Sequence, residues 1–174
     1  MLVIPNLTLA QLNAALPLLQ APVERQRLAT LNTRAGLHAL QAAAYPAALH
    51  HLQLAQQLLP ATATAAARWP VLLGLCQAAG LGRQWALADS LYPQLDALAD
   101  NRHQRIEGFR LRIQQYLRQG RYYEALQLQR EGLALLGIQN PGAVLPGRLM
   151  ALVLSMPARQ LGYPVAVFIL MPSE

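Results

Sequence analysis

An aromatic residue followed three positions later by alanine recurs along this chain at Tyr45–Ala48, Trp85–Ala88 and Tyr122–Ala125. The alanines stand 40 residues apart from Ala48 to Ala88 and 37 apart from Ala88 to Ala125. That spacing fits a helix–turn–helix unit of roughly 34 residues with a few extra residues between units. At 3.6 residues per turn, positions three apart share a helix face. A large ring beside a small methyl therefore lets two helices approach closely, the ring filling the space that alanine leaves. Around each pair the pattern continues: Gly36, Leu52, Ala55 and Pro60 in the first unit, Cys76, Gly82, Tyr92 and Leu95 in the second, and Ile113, Tyr116, Gly120 and Gly132 in the third.

Helical periodicity supports the same division. Ile106, Phe109, Ile113, Tyr116 and Leu117 follow three-to-four spacing, as do Tyr45, Leu49, Leu52 and Leu59. The pattern predicts helices over 7–19, 23–43, 46–59, 63–79, 84–98, 102–119 and 122–136, with a further one over 146–155. Gly80, Gly82 and Gly120 fall in inter-helix turns, and Asn140-Pro141-Gly142 is a strong breaker. Trp69-Pro70 reads as a helix opening, because proline is tolerated in a first turn. The fold class expected is all-α: an α-hairpin solenoid with units at about 29–62, 69–102 and 106–139, a partial hairpin over 1–26 and an irregular cap over 142–174. In such arrays each hairpin buries its apolar face against the next.

Composition narrows the function. Hydrophobic residues make up 54% of the 174 positions and charged residues 13%, which argues against disorder. The net charge of +6 comes from 14 basic residues against 8 acidic ones, and every basic residue is arginine. A chain without lysine has no Walker phosphate loop and no Schiff-base chemistry. The arginines are scattered rather than clustered, so nucleic acid is not the expected partner. Cys76 is the single cysteine, which excludes an internal disulfide and suits a reducing compartment. The N-terminus lacks a basic leader and no apolar run approaches the ~20 residues of a membrane span. A cytoplasmic location and no membrane partner are expected.

Candidate chemical groups are weighed against simpler roles. His50-His51 cannot supply the i, i+4 pair that zinc sites favour, since neighbours on a helix diverge by about 100°; one should face a neighbouring helix and the other solvent. His38 and His103 have no ligand partners at useful spacing. Cys76 shares an apolar face with Leu72, Leu73 and Ala79, with no cation to activate it. Asp89, Asp96 and Asp100 read as a solvated helix face. Gly80-Leu81-Gly82-Arg83 lacks the preceding strand that a dinucleotide fingerprint needs. Trp69, Trp85, Tyr92, Tyr122 and Tyr123 are expected to pack between helices. No catalytic residue, cofactor or metal ligand is therefore expected, and the chain is not read as an enzyme.

Longer stretches carry a more specific likeness. Leu28-Ala29-Thr30-Leu31-Asn32-Thr33-Arg34-Ala35-Gly36, Ala43-Ala44-Tyr45-Pro46-Ala47-Ala48-Leu49, Tyr116 to Leu126 and Gly132 to Ile138 together resemble the tetratricopeptide-like repeat region of large bacterial signalling ATPases. The likeness spans about 27–141. In that family the repeats adjoin a nucleotide-binding module and kinase, GAF, histidine-kinase or LuxR-type domains. The middle unit departs from the pattern at Cys76, where a small residue is usual. The resemblance implies a non-catalytic segment that binds a protein or peptide, or neighbouring domains of a larger chain; separately, the low charge content predicts apolar surface at the solenoid ends, through which the chain could self-associate. The alternatives are a free-standing peptide adaptor and a small hydrolase.

In such superhelices the first helix of each hairpin lines the partner-binding groove. The alignment assigns to it Thr33 and Gln41 with Leu37 and Leu40, then Leu73 and Gln77, then Arg110, Gln114 and Arg118. The last three form one stripe at i, i+4 and i+8, and guanidinium groups flanking an amide suit a carboxylate-bearing peptide.

Overall fold

A computed structural model describes residues 8–14, 16, 21–135 and 137. Within them the chain forms seven α-helices and no strand: α1 Leu9–Ala14, α2 Pro22–Gln41, α3 Tyr45–Leu58, α4 Ala65–Leu81, α5 Trp85–Leu98, α6 Arg102–Arg118 and α7 Tyr122–Leu135. Of the 7–19 span that periodicity predicts, Leu9–Ala14 is helical, and residues 7, 15 and 17–19 lie outside the described residues. The segment 146–155 and the cap over 142–174 lie outside the described residues.

Local chemistry sets the helix starts. Proline opens α2 at Pro22, where its missing N–H costs nothing. Thr64 caps α4 by accepting from the Ala67 amide, and Asn101 caps α6 by accepting from the Gln104 amide at 2.9 Å. The Gln104 side chain reaches back to the Asp100 amide at 2.8 Å. Thr64 thus begins α4 six residues ahead of Pro70, which sits inside the helix rather than opening it. The cap satisfies an orphan amide there, so Trp69-Pro70 lies within α4 and does not open it.

The ends of α2, α4 and α6 are built alike. Ala43, Arg83 and Gly120 adopt left-handed conformations with φ of 56°, 59° and 73°. The next amide in each case bonds back five residues: Ala44 to the Ala39 carbonyl at 2.9 Å, Gln84 to Ala79 at 2.8 Å and Arg121 to Tyr116 at 2.9 Å. This is the six-to-one bond of a Schellman ending. Two residues past each left-handed position stands the aromatic residue that opens the next helix: Tyr45, Trp85 or Tyr122. The periodic aromatic–alanine pattern is therefore anchored to a repeated turn.

The chain divides into two compact units, residues 1–129 and 130–174. In the first, α2 packs on α3, α3 on α4, α4 on α5 and α5 on α6, while α2 also meets α4 and α4 meets α6. Ala48 and Ala88 are completely buried and Ala125 nearly so. The main core gathers Leu49, Leu52, Trp69, Leu72, Leu75, Tyr92 and Leu95 around the first two alanines. Tyr116, Ala125 and Leu128 join α6 to the start of α7. Leu28, Ala29 and Leu58 form a smaller cluster on which Leu9, Leu12 and Leu16 rest.

One contact ties successive hairpins together. A Cβ on Gly36 of α2 would stand 2.5 Å from Leu52 Cγ, and one on Gly74 of α4 would stand 3.0 Å from Leu52 Cδ1. Leu52 of α3 is thus seated between two glycines that leave it room.

The aromatic positions are not equivalent. Tyr45 abuts the following inter-helix turn, its Cβ 3.4 Å from where a Gly82 Cβ would be. Tyr122 is 57% and Tyr123 72% exposed, which corrects the expectation that both pack. Among the described residues no later hairpin turn stands beside them as the turn at Gly82 stands beside Tyr45.

Candidate functional site

The six residues assigned to a groove lie on three helices that adjoin in the order α2, α4, α6. Thr33 is half-buried and spends its hydroxyl on its own helix, donating to the Ala29 carbonyl at 2.8 Å. Gln41 is exposed at the end of α2, and Gln77 is half-buried on α4. Arg110 and Gln114 are half-buried and Arg118 is exposed. Neither Arg110 nor Arg118 has an ion-pair or hydrogen-bond partner among the described residues.

That freedom separates them from Arg112 and Arg121, which a polar network holds. Gln115, almost wholly buried, accepts from the Tyr92 hydroxyl at 2.9 Å and donates to Asp89 Oδ1 at 2.8 Å. Asp89 Oδ2 lies 3.5 Å from Arg121 Nη1. Arg121 Nε donates to Glu124 Oε1 at 3.0 Å, and its guanidinium sits 3.9 Å from the centre of the Tyr116 ring. Arg112 lies over Tyr92 at 5.6 Å and Tyr116 at 5.5 Å, and donates from Nε to the Tyr116 hydroxyl at 3.1 Å. Cations over aromatic faces at such distances are attracted by the ring quadrupole. Burial, followed by the neighbouring Cys76 and Asp89, raises the Tyr92 hydroxyl well above its ordinary pKa. The hydrogen bond to Glu124 raises the Arg121 pKa, and Glu124 is held below the usual carboxylate range.

Asp89 therefore belongs to this network and not to a free solvated face, a correction that follows from Gln115 and Arg121 approaching it from α6 and the next turn. Neither Asp89–Gln115, separated by 26 residues, nor Tyr92–Gln115, separated by 23, leaves any periodic trace in sequence. Cys76 is buried, and that burial pushes its thiol up to about 12. Such a thiol is inert at neutral pH.

A second buried polar centre lies where α1, α2 and α3 meet. Asn32 is fully buried. Its amide nitrogen donates to the Leu28 carbonyl at 3.0 Å and to Asn13 Oδ1 at 2.7 Å. Its oxygen faces Asn13 Nδ2 at 3.0 Å and His51 Nδ1 at 2.9 Å. All four hydrogen-bonding positions of this amide are thereby used. Its sequence signal is faint: Asn32 sits four residues after Leu28 and four before Gly36, a polar residue on an otherwise buried stripe. His51 turns to α2 and His50 is exposed, the division of roles that adjacent helical positions imply.

Among the described residues no group of three or more His, Cys, Asp or Glu side chains gathers to hold a metal, and no helix is long and apolar enough to cross a membrane. Comparison with protein-family models, with curated proteins and with solved structures returns no match. What the fold defines is an all-helical chain of successively packed helices.

Proposed function

We propose that this chain is a tetratricopeptide-like array of helical hairpins acting as a non-catalytic protein-interaction scaffold. It engages a carboxylate-bearing peptide or acidic segment along α2, α4 and α6. The observation that carries the reading is the pair of unpartnered guanidiniums, Arg110 and Arg118, on the same stripe of α6. Two turns of helix separate them by about 12 Å, with Gln114 between. An extended peptide covers that distance in about four residues, so carboxylates three to four residues apart would meet both cations. The recurring left-handed turns at Ala43, Arg83 and Gly120 support the repeat reading.

By its resemblance to the repeat regions of signalling ATPases, the array holds a partner and biases an adjoining nucleotide-driven module. This last step is analogy and carries no catalytic residue onto the chain.

The test is fluorescence anisotropy with labelled peptides carrying two glutamates four residues apart, against the same peptides with glutamines. Arg110→Ala/Arg118→Ala should weaken glutamate-peptide binding at least tenfold and flatten its salt dependence. Arg102→Ala/Arg105→Ala, near the helix start, serves as control. Equal binding by wild type and the Arg110/Arg118 variant would overturn the groove assignment.

A further inference from the structure

At the opposite end of the first unit from α6, the fully bonded Asn32 dictates the state of a histidine. The Leu28 carbonyl only accepts, so the Asn32 atom facing it at 3.0 Å is the NH2 group. The oxygen of Asn32 therefore faces His51 Nδ1 at 2.9 Å, and Nδ1 must carry the proton. Neutral imidazole holds one N–H, which leaves the His51 Nε2 lone pair unprotonated. A ring whose Nδ1–H is fixed on a carbonyl oxygen is the arrangement that metal-binding histidines almost always show, the amide setting both tautomer and orientation.

The second imidazole is already close. The His50 and His51 ring centres are 5.4 Å apart with planes inclined at 66°. Two imidazoles bound to one tetrahedral ion at metal–nitrogen distances near 2.0–2.1 Å have their ring centres about 5 Å apart. Backbone directions alone argue against the pair, because neighbours on a helix diverge, but the side chains lean together. Both rings line a cleft of about 460 Å³ with Ala10, Asn13, Ala14 and Leu54. The described residues that line it include no arginine to repel a metal, and the room accommodates water or an added ligand at open coordination positions.

We propose that His50 and His51 form a two-imidazole site for a late first-row divalent cation. Copper(II) binds more tightly than zinc, as the general order of affinities for nitrogen ligands requires. Asn32 is a positioning residue for this site. No bond is made or broken in the protein, and because Nε2 of His51 is already unprotonated, binding there displaces no proton at neutral pH. The site stands apart from the α6 stripe, and its test does not depend on the peptide-binding reading.

The experiment is titration of the full chain with copper(II) and, separately, zinc in a non-coordinating buffer, followed calorimetrically. The chain contains two comparison histidines, His38 and His103, both exposed and remote from any other histidine in sequence. One site should appear whose affinity falls at least tenfold in His50→Gln and equally in His51→Gln, while His38→Gln and His103→Gln leave it unchanged. Asn32→Ala should weaken it about 10–100-fold, thermal melting establishing that this variant is folded. Independently of that variant, nitrogen-15 NMR of the metal-free wild type should show His51 as the Nδ1–H tautomer. An Nε2–H tautomer, a site that survives either His50→Gln or His51→Gln, or a loss shared equally by all four histidine variants would each overturn the proposal.

Discussion

Adding a single methyl group to Gly36 should destabilise this fold even though alanine is the better helix former. The built Cβ would stand 2.5 Å from Leu52 Cγ, 2.9 Å from Leu52 Cδ2 and 3.3 Å from the Ala48 carbonyl oxygen. Ordinary carbon–carbon contacts lie at about 3.5–4.0 Å, so the overlap is of the order of an ångström. Leu52 is fully buried, and on its other side Gly74 already leaves it only the space of a missing side chain. Overpacking of this kind costs about 1–3 kcal/mol. Replacing glycine by alanine within a helix returns about 1 kcal/mol. Gly36→Ala should therefore lose up to about 2 kcal/mol in urea unfolding followed by far-ultraviolet circular dichroism. Leu52→Ala alone should cost about 3–5 kcal/mol through its cavity. In the double variant the overlap disappears, so the two losses should sum to at least 1 kcal/mol more than the measured one. Gly108 is the contrasting case. Its built Cβ meets Asp96 Oδ1 at 3.5 Å and Leu95 Cδ2 at 3.6 Å, ordinary contacts, so Gly108→Ala should stabilise by about 0.5–1 kcal/mol. A Gly36→Ala protein at least as stable as wild type, or no coupling with Leu52, would refute the wedge.

Arg83→Gly should raise stability by about 0.5–1 kcal/mol, since the left-handed conformation costs an L-residue about 1–2 kcal/mol and glycine's extra chain entropy takes back part of the gain; the urea midpoint reports it. Tyr92→Phe should cost about 1–3 kcal/mol, because it takes from Gln115 Oε1 the hydroxyl that donates to it; a cycle with Gln115→Leu should show most of that loss shared. Cys76 should stay silent to a thiol reagent at pH 8 and react only at the rate of unfolding. The unfolded thiol ionises near its ordinary 9.0 and the folded one only at about 12. The stability contributed by the buried neutral thiol is therefore whole below pH 9 and declines as pH climbs towards 12. Cys76→Ala should flatten that alkaline decline in pH-dependent melts. Burial, then the neighbouring His50, lowers the His51 pKa from 6.5. The corresponding stability is present above pH 6.5 and is lost as pH falls through the folded value, so His51→Gln should weaken the dependence on acid.

Helix placement was legible because it is written in short-range chemistry. The apolar spacing of Tyr45, Leu49 and Leu52, and the three aromatic–alanine pairs, place α3, α5 and α7 within a few residues of their observed starts. Cys76 is buried as its apolar neighbours imply. Side chains that act across the chain were not legible. Gln115 resembles any other glutamine of α6 until α5 brings Tyr92 and Asp89 to it. Asn32 gains its meaning only when Asn13 and His51 arrive from two other helices. Tyr122 repeats the earlier aromatic position in sequence, but its burial depends on what lies beside it, which no local pattern encodes. The α6 arginines divide in the same way: spacing groups Arg110 with Arg118, and only the stacking of Arg112 on Tyr92 and Tyr116 shows that it is engaged.

Leu52 answers to two partners at once, one within its own hairpin and one in the next. Neither hairpin can peel away without leaving a void in the other, so there is no seam between α2–α3 and α4–α5 along which the chain could open piecemeal. Amide protons of both hairpins should accordingly exchange with solvent through one shared opening event, at one common rate-limiting free energy.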